Sequence, residues 1–224
     1  MKHIMIIPDG DRRYAKKMQI SKDEAYQRAG RILRKLIEWV LIDCNADEFT
    51  FFGLSYANIA KRSKEDLDPI LKNQAQTLND FSEDNFFEQN SIQVRVFGEK
   101  QHLPQEYKDA IAKLEAATNR YKSKKRVNLL LAFSGTKDLE SAIDKTSIQK
   151  RYLSAANISE NCSVKTPIDL IIRTADEKRV SDGPLLATAY SEIYSVKPYF
   201  PELKKSDIVK VMKEFEIKER TFGK

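Results

Sequence analysis

Two carboxylates and two guanidiniums stand within five residues near the start of the chain. The apolar run at residues 4–7 is typical of a strand, and Pro8 separates it from the polar set Asp9, Gly10, Asp11, Arg12 and Arg13. A surface turn is one interpretation, because Pro, Asp and Gly are common turn residues. The other is a pocket for a metal ion and a polyanion, because carboxylates bind Mg²⁺ and arginines bind phosphate oxygens two at a time.

More side chains of this kind follow other strand-like runs. Ser55 and Asn58 come after the run at 48–54, and Arg173, Arg179 and Ser181 come after the run at 168–172. In a parallel sheet, ligands bind beyond the carboxyl ends of the strands. We therefore expect the loops at 9–13, 55–62, 133–137 and 173–179 to meet at one edge.

Each residue type has a chemical role in such a site. Arg13, Arg173 and Arg179 supply planar forks for phosphate, while Ser181 and Asn58 add neutral hydrogen bonds. Gly10 lets the backbone approach a phosphate closely. Asp9 and Glu192, the latter on an expected helix at 185–194, are candidate Mg²⁺ ligands. Taken singly, each arginine is more often a solvated surface charge, and only their joint placement indicates a phosphorylated ligand.

Alternating elements predict the scaffold. Strand-like runs at 4–7, 48–54, 92–97, 127–133 and 168–172 are separated by helical patterns, of which the clearest starts with a capping box at Ser21 and Glu24. Further helices are expected at 64–87, 103–121, 136–155 and 206–215. This order predicts an α/β fold with a central, largely parallel sheet flanked by helices. Without an internal repeat or a Gly/Ser linker, residues 1–224 are expected to form a single domain.

Composition narrows the function classes. The chain has 224 residues, 41% of them hydrophobic, and a net charge of +6, which suits a diphosphate, a nucleic acid or an anionic membrane surface. No apolar stretch approaches the ~20 residues of a membrane span, and no signal peptide is visible. The two cysteines lack metal-ligand spacing, which favours a reducing, cytoplasmic location.

Other chemistries have weaker support. His3 and His102 are the only histidines, and His3 is interpreted as structural. No glycine pattern of a nucleotide-binding loop is present. The basic run at 122–126 lacks the interleaved aromatic residues that stack on bases, so a nucleic-acid-binding module is kept only as an alternative.

Five segments resemble motifs of the cis-prenyltransferases, the family of undecaprenyl diphosphate synthase. Residues 3–16, HIMIIPDGDRRYAK, resemble the family's opening motif around Asp-Gly. Residues 169–174, DLIIRT, and 177–181, EKRVS, match its arginine signatures. Residues 189–194, AYSEIY, match its Ala-Tyr-x-Glu motif, and the closing segment that contains Gly223 resembles its Arg-x-Phe-Gly end.

This resemblance implies a homodimer with a hydrophobic tunnel for an isoprenoid chain, and Mg²⁺ as cofactor. An allylic diphosphate would lose its diphosphate with help from Asp9, and a second, C5 diphosphate (dimethylallyl or isopentenyl) would attack. Gly10 and Arg13 would cradle the first diphosphate, and Asp11 and Arg12 are further candidate substrate-binding residues. Arg173, Arg179 and Ser181 would hold the second diphosphate, and Glu192 would assist the metal. Ser55 and Asn58 are candidate catalytic residues beside Asp9, and Gly223 is a candidate substrate-binding residue.

The tunnel implied by the resemblance needs apolar walls. Phe51, Leu71, Leu78, Phe81 and Phe86 are candidates, although each one alone is more often core. A long substrate or product would bring the protein into peripheral contact with a membrane, but no anchor is encoded. No nucleic-acid partner is expected from the family.

Departures from the family pattern gather around the second substrate. Changed positions include Asp11, Tyr26, Gln27, Ala57, Ile59, Ala132, Thr136, Ala175, Asp176 and Asp182. Three interpretations stay open: a regular cis elongator that uses isopentenyl diphosphate, an irregular enzyme that couples dimethylallyl diphosphate head-to-middle, and a non-catalytic partner subunit. Retention of the diphosphate-binding residues argues against the third, and the position of the changes favours the second.

Overall fold

The computed structural model describes residues 2–121 and 125–217. Within them, six strands form one sheet in the order β3-β4-β2-β1-β5-β6, and all five pairings between neighbours are parallel. The strands are β1 (His3–Ile7), β2 (Glu48–Ser55), β3 (Gln93–Phe97), β4 (Arg126–Phe133), β5 (Leu170–Arg173) and β6 (Glu192–Ser195). The predicted parallel α/β sheet is confirmed.

Helices connect the strands. They are α1 (Asp11–Met18), α2 (Lys22–Glu38), α3 (Tyr56–Lys61), α4 (Lys64–Glu83), α5 (Asn85–Gln89), α6 (Gln105–Thr118), α7 (Gly135–Ile148), α8 (Ala155–Ser159) and α9 (Lys205–Ile217). The capping box predicted at the start of α2 is present, with Ser21 and Glu24 bonding each other's backbone N–H groups. In the part of the chain that the structure describes, no helix has the length and apolarity needed to cross a membrane.

The helix expected at 185–194 was wrong. Turns follow Pro184, and the chain then enters the sheet as β6, which begins at Glu192. The Ser191 hydroxyl donates to the Ile168 carbonyl at 2.7 Å, and the Glu192 N–H donates to the Asp169 carbonyl at 3.0 Å. These bonds to the segment entering β5 outweigh a helical pattern of fewer than three turns, because tertiary contacts override weak local propensity.

The larger part of the core covers the face of the sheet that packs against α2, α4 and α6, and a smaller cluster that includes Met5, Leu130 and Ile171 covers the opposite face. The largest cluster joins residues from β1, β2 and β4 with apolar residues of these helices. Buried apolar area of this extent is the main stabilising contribution to such a fold. The carboxyl ends of the strands, where polar residues follow, lie at the edge of this core.

A buried polar network crosses the amino-terminal end of the sheet. The Asn128 amide donates to Thr50 Oγ1 at 3.1 Å, and Thr50 Oγ1 lies 2.8 Å from His3 Nε2. The second ring nitrogen of His3, Nδ1, is 3.2 Å from the Thr166 carbonyl. This pattern assigns a neutral ring that donates from Nδ1 and accepts at Nε2. His3 lies at the end of β1 remote from Asp9, which supports its structural interpretation.

The buried His3 ring makes stability dependent on pH. Burial lowers the pKa of His3, and the nearby Glu48 carboxylate opposes this only in part. The unfolded chain therefore binds the proton first, so this contribution to the free energy of unfolding is complete above about pH 6.5 and declines as pH falls below it. We expect the stability advantage of the parent protein over His3→Gln to shrink between pH 7.5 and pH 5 in urea titrations. A constant difference would contradict the assignment, and His102→Gln, an exposed control, should show no such trend.

Candidate functional site

A cavity of about 820 Å³ opens at the carboxyl ends of β1, β2 and β5. Its mouth is polar and its interior is apolar. The predicted loops after these three strands all contribute to its lining, with Asp9, Gly10, Asp11, Arg12, Arg13, Ser55, Asn58, Arg62, Arg173, Arg179 and Ser181. The loop at 133–137 was expected there too, but it does not line the cavity.

Asp9 binds two arginines at the mouth of the cavity. One of its carboxylate oxygens accepts from Arg173 Nη2 at 2.8 Å and the other from Arg13 Nη2 at 2.9 Å. Arg173 ends β5 directly beside Ile7 of β1, and only 4% of its surface is exposed. The parallel register of two central strands therefore brings this carboxylate and this guanidinium together.

A second carboxylate extends the network. Glu177 pairs with Arg179 and lies 3.5 Å from Arg13. Arg173 Nη1 donates to the Ser181 hydroxyl at 2.6 Å and to the Arg179 carbonyl. Three arginines and two acids thus alternate around the mouth. Each guanidinium can bind two phosphate oxygens, and the network holds it in a suitable orientation before a ligand binds.

The charge of the cavity lining favours a polyanion. Among the described residues that line it, seven are lysine or arginine and two are aspartate. Burial tends to raise the pKa of Asp9, but the hydrogen bonds and charges of Arg173 and Arg13 outweigh it, and the net pKa of this carboxyl is lowered. Asp9 is therefore ionised at neutral pH and compensates only part of the positive charge around it.

Asp11 differs from Asp9 in having no such partners. It lines the cavity and is partly exposed, yet its Oδ1 atom is buried without a hydrogen-bond partner. Burial raises the pKa of Asp11 to about 7. A hydrogen bond from the residue's own backbone N–H and the charge of Arg62 oppose this shift, and the Asp9 charge adds to it. A buried acceptor without a donor is costly in the free protein and is a place where a cation or a donor would bind.

The donor set at this position suits Mg²⁺ together with a phosphorylated ligand. In the described part of the chain, no group of three or more His, Cys, Asp or Glu side chains could hold a metal by itself. Mg²⁺ commonly uses only one or two carboxylates and takes its other ligands from water and substrate phosphates. Asp9 and the unpartnered oxygen of Asp11 fit that requirement.

The loop that carries Asp9 is held from two sides. Thr174 Oγ1 accepts from the Asp9 N–H at 2.7 Å and donates to the Asp9 carbonyl at 2.9 Å, and the Phe200 N–H donates to the same carbonyl at 2.9 Å. Gly10 has a φ of 99°, and a Cβ atom there would come within 2.5 Å of the Tyr199 ring. A side chain at position 10 would therefore displace the loop.

Asp182 holds the loop that carries Arg179 and Ser181. Its carboxylate accepts from the Ser134 hydroxyl at 2.7 Å and from the Thr136 N–H and hydroxyl, each at 2.9 Å. The Gly135 N–H also donates to its carbonyl at 2.9 Å. The loop after β4 therefore supports the site indirectly: it does not line the cavity, but it binds Asp182. The departures from the family pattern at Thr136 and Asp182 are paired with each other.

Ser55 caps a helix in this structure. Its hydroxyl accepts from the Asn58 N–H at 3.2 Å and begins α3. Both residues line the cavity, so their catalytic role stays a prediction. Sequence reasoning missed Tyr26 and Arg62, which also line it and interact with each other. In the sequence, Tyr26 stood out only as a departure from the family pattern, and Arg62 only as the last residue of the expected loop at 55–62.

Two of the residues predicted for the site are not among those that line the cavity. Glu192 opens β6 in register with Leu170, which lies beside Ile4, whereas the cavity is at the other end of these strands. The structure therefore does not bring Glu192 to Asp9 within the chain, and its role as a metal ligand stays untested. Gly223 lies outside the described residues.

The interior of the cavity is formed by β2, β4, α2 and α4. Phe51 and Leu78 line it, as expected for two of the five tunnel candidates. Leu71, Phe81 and Phe86 do not line it and are buried in the core. The arrangement, a cationic mouth above an apolar interior, can hold a diphosphate and bury the hydrocarbon attached to it.

Comparison with known proteins agrees with this geometry. Residues 7–223 match the family model described as putative undecaprenyl diphosphate synthase. The chain is 30% identical over 240 residues to tritrans,polycis-undecaprenyl-diphosphate synthase (geranylgeranyl-diphosphate specific) of Thermococcus kodakarensis, covering 100% of this chain and 87% of the relative.

Two solved structures share the fold over the whole chain. A probable undecaprenyl diphosphate synthase from Campylobacter jejuni has a TM-score of 0.85 and 27% identity, covering 100% of this chain and 99% of its own. Lavandulyl diphosphate synthase from Lavandula x intermedia, in complex with dimethylallyl diphosphate, has a TM-score of 0.91 and 25% identity, covering 100% and 98%.

Replacing Asp11 tests whether this carboxyl is unpartnered in the free protein. Its pKa is raised on folding, so its ionisation destabilises the folded state progressively from about pH 4 to about pH 7 and fully above that. Without Mg²⁺, we expect Asp11→Asn to melt at a higher temperature than the parent at pH 8, with a smaller difference at pH 5. Asp144→Asn on α7, an exposed control, should change neither value. A lower melting temperature for Asp11→Asn at pH 8 would show that the carboxylate has a stabilising partner.

Proposed function

This chain belongs to the undecaprenyl diphosphate synthase family and is a prenyltransferase, and we propose that it joins an allylic diphosphate to a second, C5 diphosphate with release of diphosphate. The observation that carries the proposal is the network of Asp9, Arg13 and Arg173 at the mouth of an apolar cavity.

In the proposed reaction, the bond between the allylic carbon and the diphosphate oxygen breaks, and the diphosphate leaves with the electron pair. The alkene of the second substrate forms a new carbon–carbon bond, and loss of a proton restores a double bond. Arg13 and the backbone at Gly10 bind the leaving diphosphate, while Arg173, Arg179 and Ser181 bind the diphosphate of the second substrate. Preorganised donors of this kind stabilise the charge that develops on the leaving group.

Mg²⁺ is part of the proposal. When bound, it would neutralise charge on the leaving diphosphate, and Asp9 and Asp11 would hold it at the mouth. Asp9 also orients Arg13 and Arg173, so it links the two diphosphate subsites. The apolar interior excludes water, which would otherwise capture an allylic cation.

We propose that the specific reaction is head-to-middle coupling, with dimethylallyl diphosphate as the second substrate. Support comes from the substituted positions in and beside the diphosphate sites, among them Asp11, Tyr26 and Asp182, and from the fold shared with lavandulyl diphosphate synthase. The alternative is regular cis elongation with isopentenyl diphosphate, favoured by relatives named undecaprenyl diphosphate synthases. A partner subunit without activity is disfavoured by the intact arginine network.

A homodimer and a cytoplasmic location complete the proposal. Support for the dimer comes from the exposed side of the edge strand β6, where Ile193 and the nearby Tyr190 are 45% and 73% exposed. An edge strand offers backbone groups to which a strand of another chain can pair. Support for the location comes from Cys44 and Cys162, which are free thiols. A basic nucleic-acid-binding module would instead bind oligonucleotides with a steep salt dependence.

The choice of second substrate distinguishes the two reactions. Purified protein with Mg²⁺ is incubated with allylic donors, and either dimethylallyl or isopentenyl diphosphate is supplied as partner. The dephosphorylated products are identified by gas chromatography and mass spectrometry. Branched products from dimethylallyl diphosphate are expected. Products that require isopentenyl diphosphate would establish the regular reaction, and no product from any pair would favour the partner subunit.

Asp9→Ala tests the assignment of the network. It removes the carboxylate shared by Arg13 and Arg173, and turnover is expected to fall by at least about 100-fold, as for other preorganised electrostatic groups. Asp9→Asn keeps an acceptor for Arg173, and it should fold like the parent and still be severely impaired. Glu83→Ala, which removes the partner of Lys113 on the surface, is the control. Near-normal activity of either Asp9 variant would refute the assignment.

A further inference from the structure

The apolar interior of the cavity ends at the same depth on three different elements. On β2, every residue from Phe51 to Ser55 lines it, whereas Phe49, which lies deeper on the same strand, does not. On β4, Leu131 and Leu129 line it and Val127 does not. On α4, lining ends at Leu78, and Phe81 one turn further on is excluded.

The residues behind this level fill the space. Phe49, Val127 and Phe81 are all buried and belong to the main core cluster. The Phe81 ring packs against Phe87 with ring centroids 5.4 Å apart. Close-packed aromatic rings leave no passage for a chain. Phe51, Leu78 and Leu129, here called the floor, therefore close the cavity.

A polar bridge closes the side of the cavity between α4 and α6. Tyr107 donates from its hydroxyl to Gln74 Oε1 at 2.7 Å, and Gln74 Nε2 donates to the Gly53 carbonyl at 3.0 Å. The pairing of β2 with β4 is irregular between Phe52 and Leu54, at Gly53. Each polar group of the bridge is thus satisfied by another, which fixes the Gln74 side chain in the wall.

The dimensions of the cavity match a short chain. From Ser55 to Phe51, the strand covers about 13 Å at roughly 3.3 Å per residue. An extended isoprene unit of four carbon–carbon bonds, each about 1.5 Å, is roughly 5 Å long. At about 30 Å³ for each non-hydrogen atom, the share of a water molecule in the liquid, the cavity of about 820 Å³ holds roughly 27 such atoms. A diphosphate takes about nine of these atoms, so roughly 18 remain, which is enough for three isoprene units of five carbons each but not for four.

We propose that the floor and the Gln74–Tyr107 bridge restrict this enzyme to allylic donors of no more than about three isoprene units. Phe51, Leu78 and Gln74 are then specificity-determining residues. This inference rests on the proposed prenyl transfer but not on the choice between head-to-middle and regular coupling. It separates the chain from its relative named as geranylgeranyl-diphosphate specific, whose donor has four units.

The wild-type protein tests the limit without any substitution. Steady-state kcat/KM is measured with dimethylallyl, geranyl, farnesyl and geranylgeranyl diphosphate as donor, each with both C5 partners. Because a fourth unit would have to displace the packed floor or leave the cavity, the four-unit donor is expected to be at least about tenfold worse than the best shorter donor. Equal use of the four-unit donor and the two-unit donor would overturn the proposal.

Two variants locate the limit. Leu78→Ala removes part of the floor, and Gln74→Ala removes the bridge, so each is expected to raise kcat/KM for the four-unit donor relative to geranyl diphosphate by about tenfold. Leu71→Ala on the same helix is the matched control, because Leu71 is buried but does not line the cavity. A change of donor preference in Leu71→Ala equal to that in Leu78→Ala would show a general loosening of the core and would contradict the assignment.

A binding measurement tests the length limit independently of the proposed function, because it requires no turnover. Unreactive thio-analogues of the four donors are titrated into wild-type protein by calorimetry. The two-unit analogue is expected to bind more tightly than the one-unit analogue. The four-unit analogue is expected to bind no more tightly than the three-unit analogue. A continued rise of about tenfold through the fourth unit would overturn the length limit. Failure of turnover with every donor would refute the proposed function, while the affinity series would still decide the length limit.

Discussion

The ion pair between Arg173 and Asp9 is the interaction on which the site depends. Arg173 is almost completely buried at the end of β5, and a buried guanidinium without a partner is strongly unfavourable. Asp9 at the end of β1 supplies the partner at 2.8 Å because the two strands are neighbours in parallel register. Breaking a buried pair of this kind typically costs about 3–5 kcal/mol. The sheet therefore fixes both charges before any ligand binds.

The rest of the mouth is arranged around this pair. Thr174 and the Phe200 N–H position the backbone of Asp9, and Asp182 anchors the loop of Arg179 and Ser181 to the start of α7. Because these hydrogen bonds hold the two loops against the sheet and α7, the arginines need little rearrangement to bind a phosphate. Preorganisation of this kind is the main means by which a protein stabilises a leaving anion. The apolar interior then determines which hydrocarbon can accompany that anion.

The sequence predicted the parts of the site that follow a strand in the chain. Asp9, Arg13, Arg173, Arg179 and Ser181 were found because strand ends in a parallel sheet share one edge. Tyr26 and Arg62 were missed as site residues, since they reach the cavity from α2 and from the segment between α3 and α4. The supports from Tyr199 and Phe200 were missed because they connect residues about 190 positions apart, which no local pattern encodes.

Glu192 shows the opposite error, because a helical pattern was assigned to a segment whose last part is an edge strand. The depth of the cavity was also invisible in the sequence. Leu71 and Leu78 lie on the same helix and are both buried, but only Leu78 lines the cavity. Which of two similar leucines faces a cavity depends on how α4 packs against β2 and α6, and periodicity alone does not determine it.

The most direct test of the account is a crystal structure of the protein with Mg²⁺ and the unreactive thio-analogue of geranyl diphosphate. The account predicts the diphosphate at the cavity mouth within hydrogen-bond distance of Arg13, with Mg²⁺ on Asp9 and the hydrocarbon directed toward Leu78. A diphosphate bound elsewhere on the surface, or a hydrocarbon that leaves the cavity toward solvent, would contradict it.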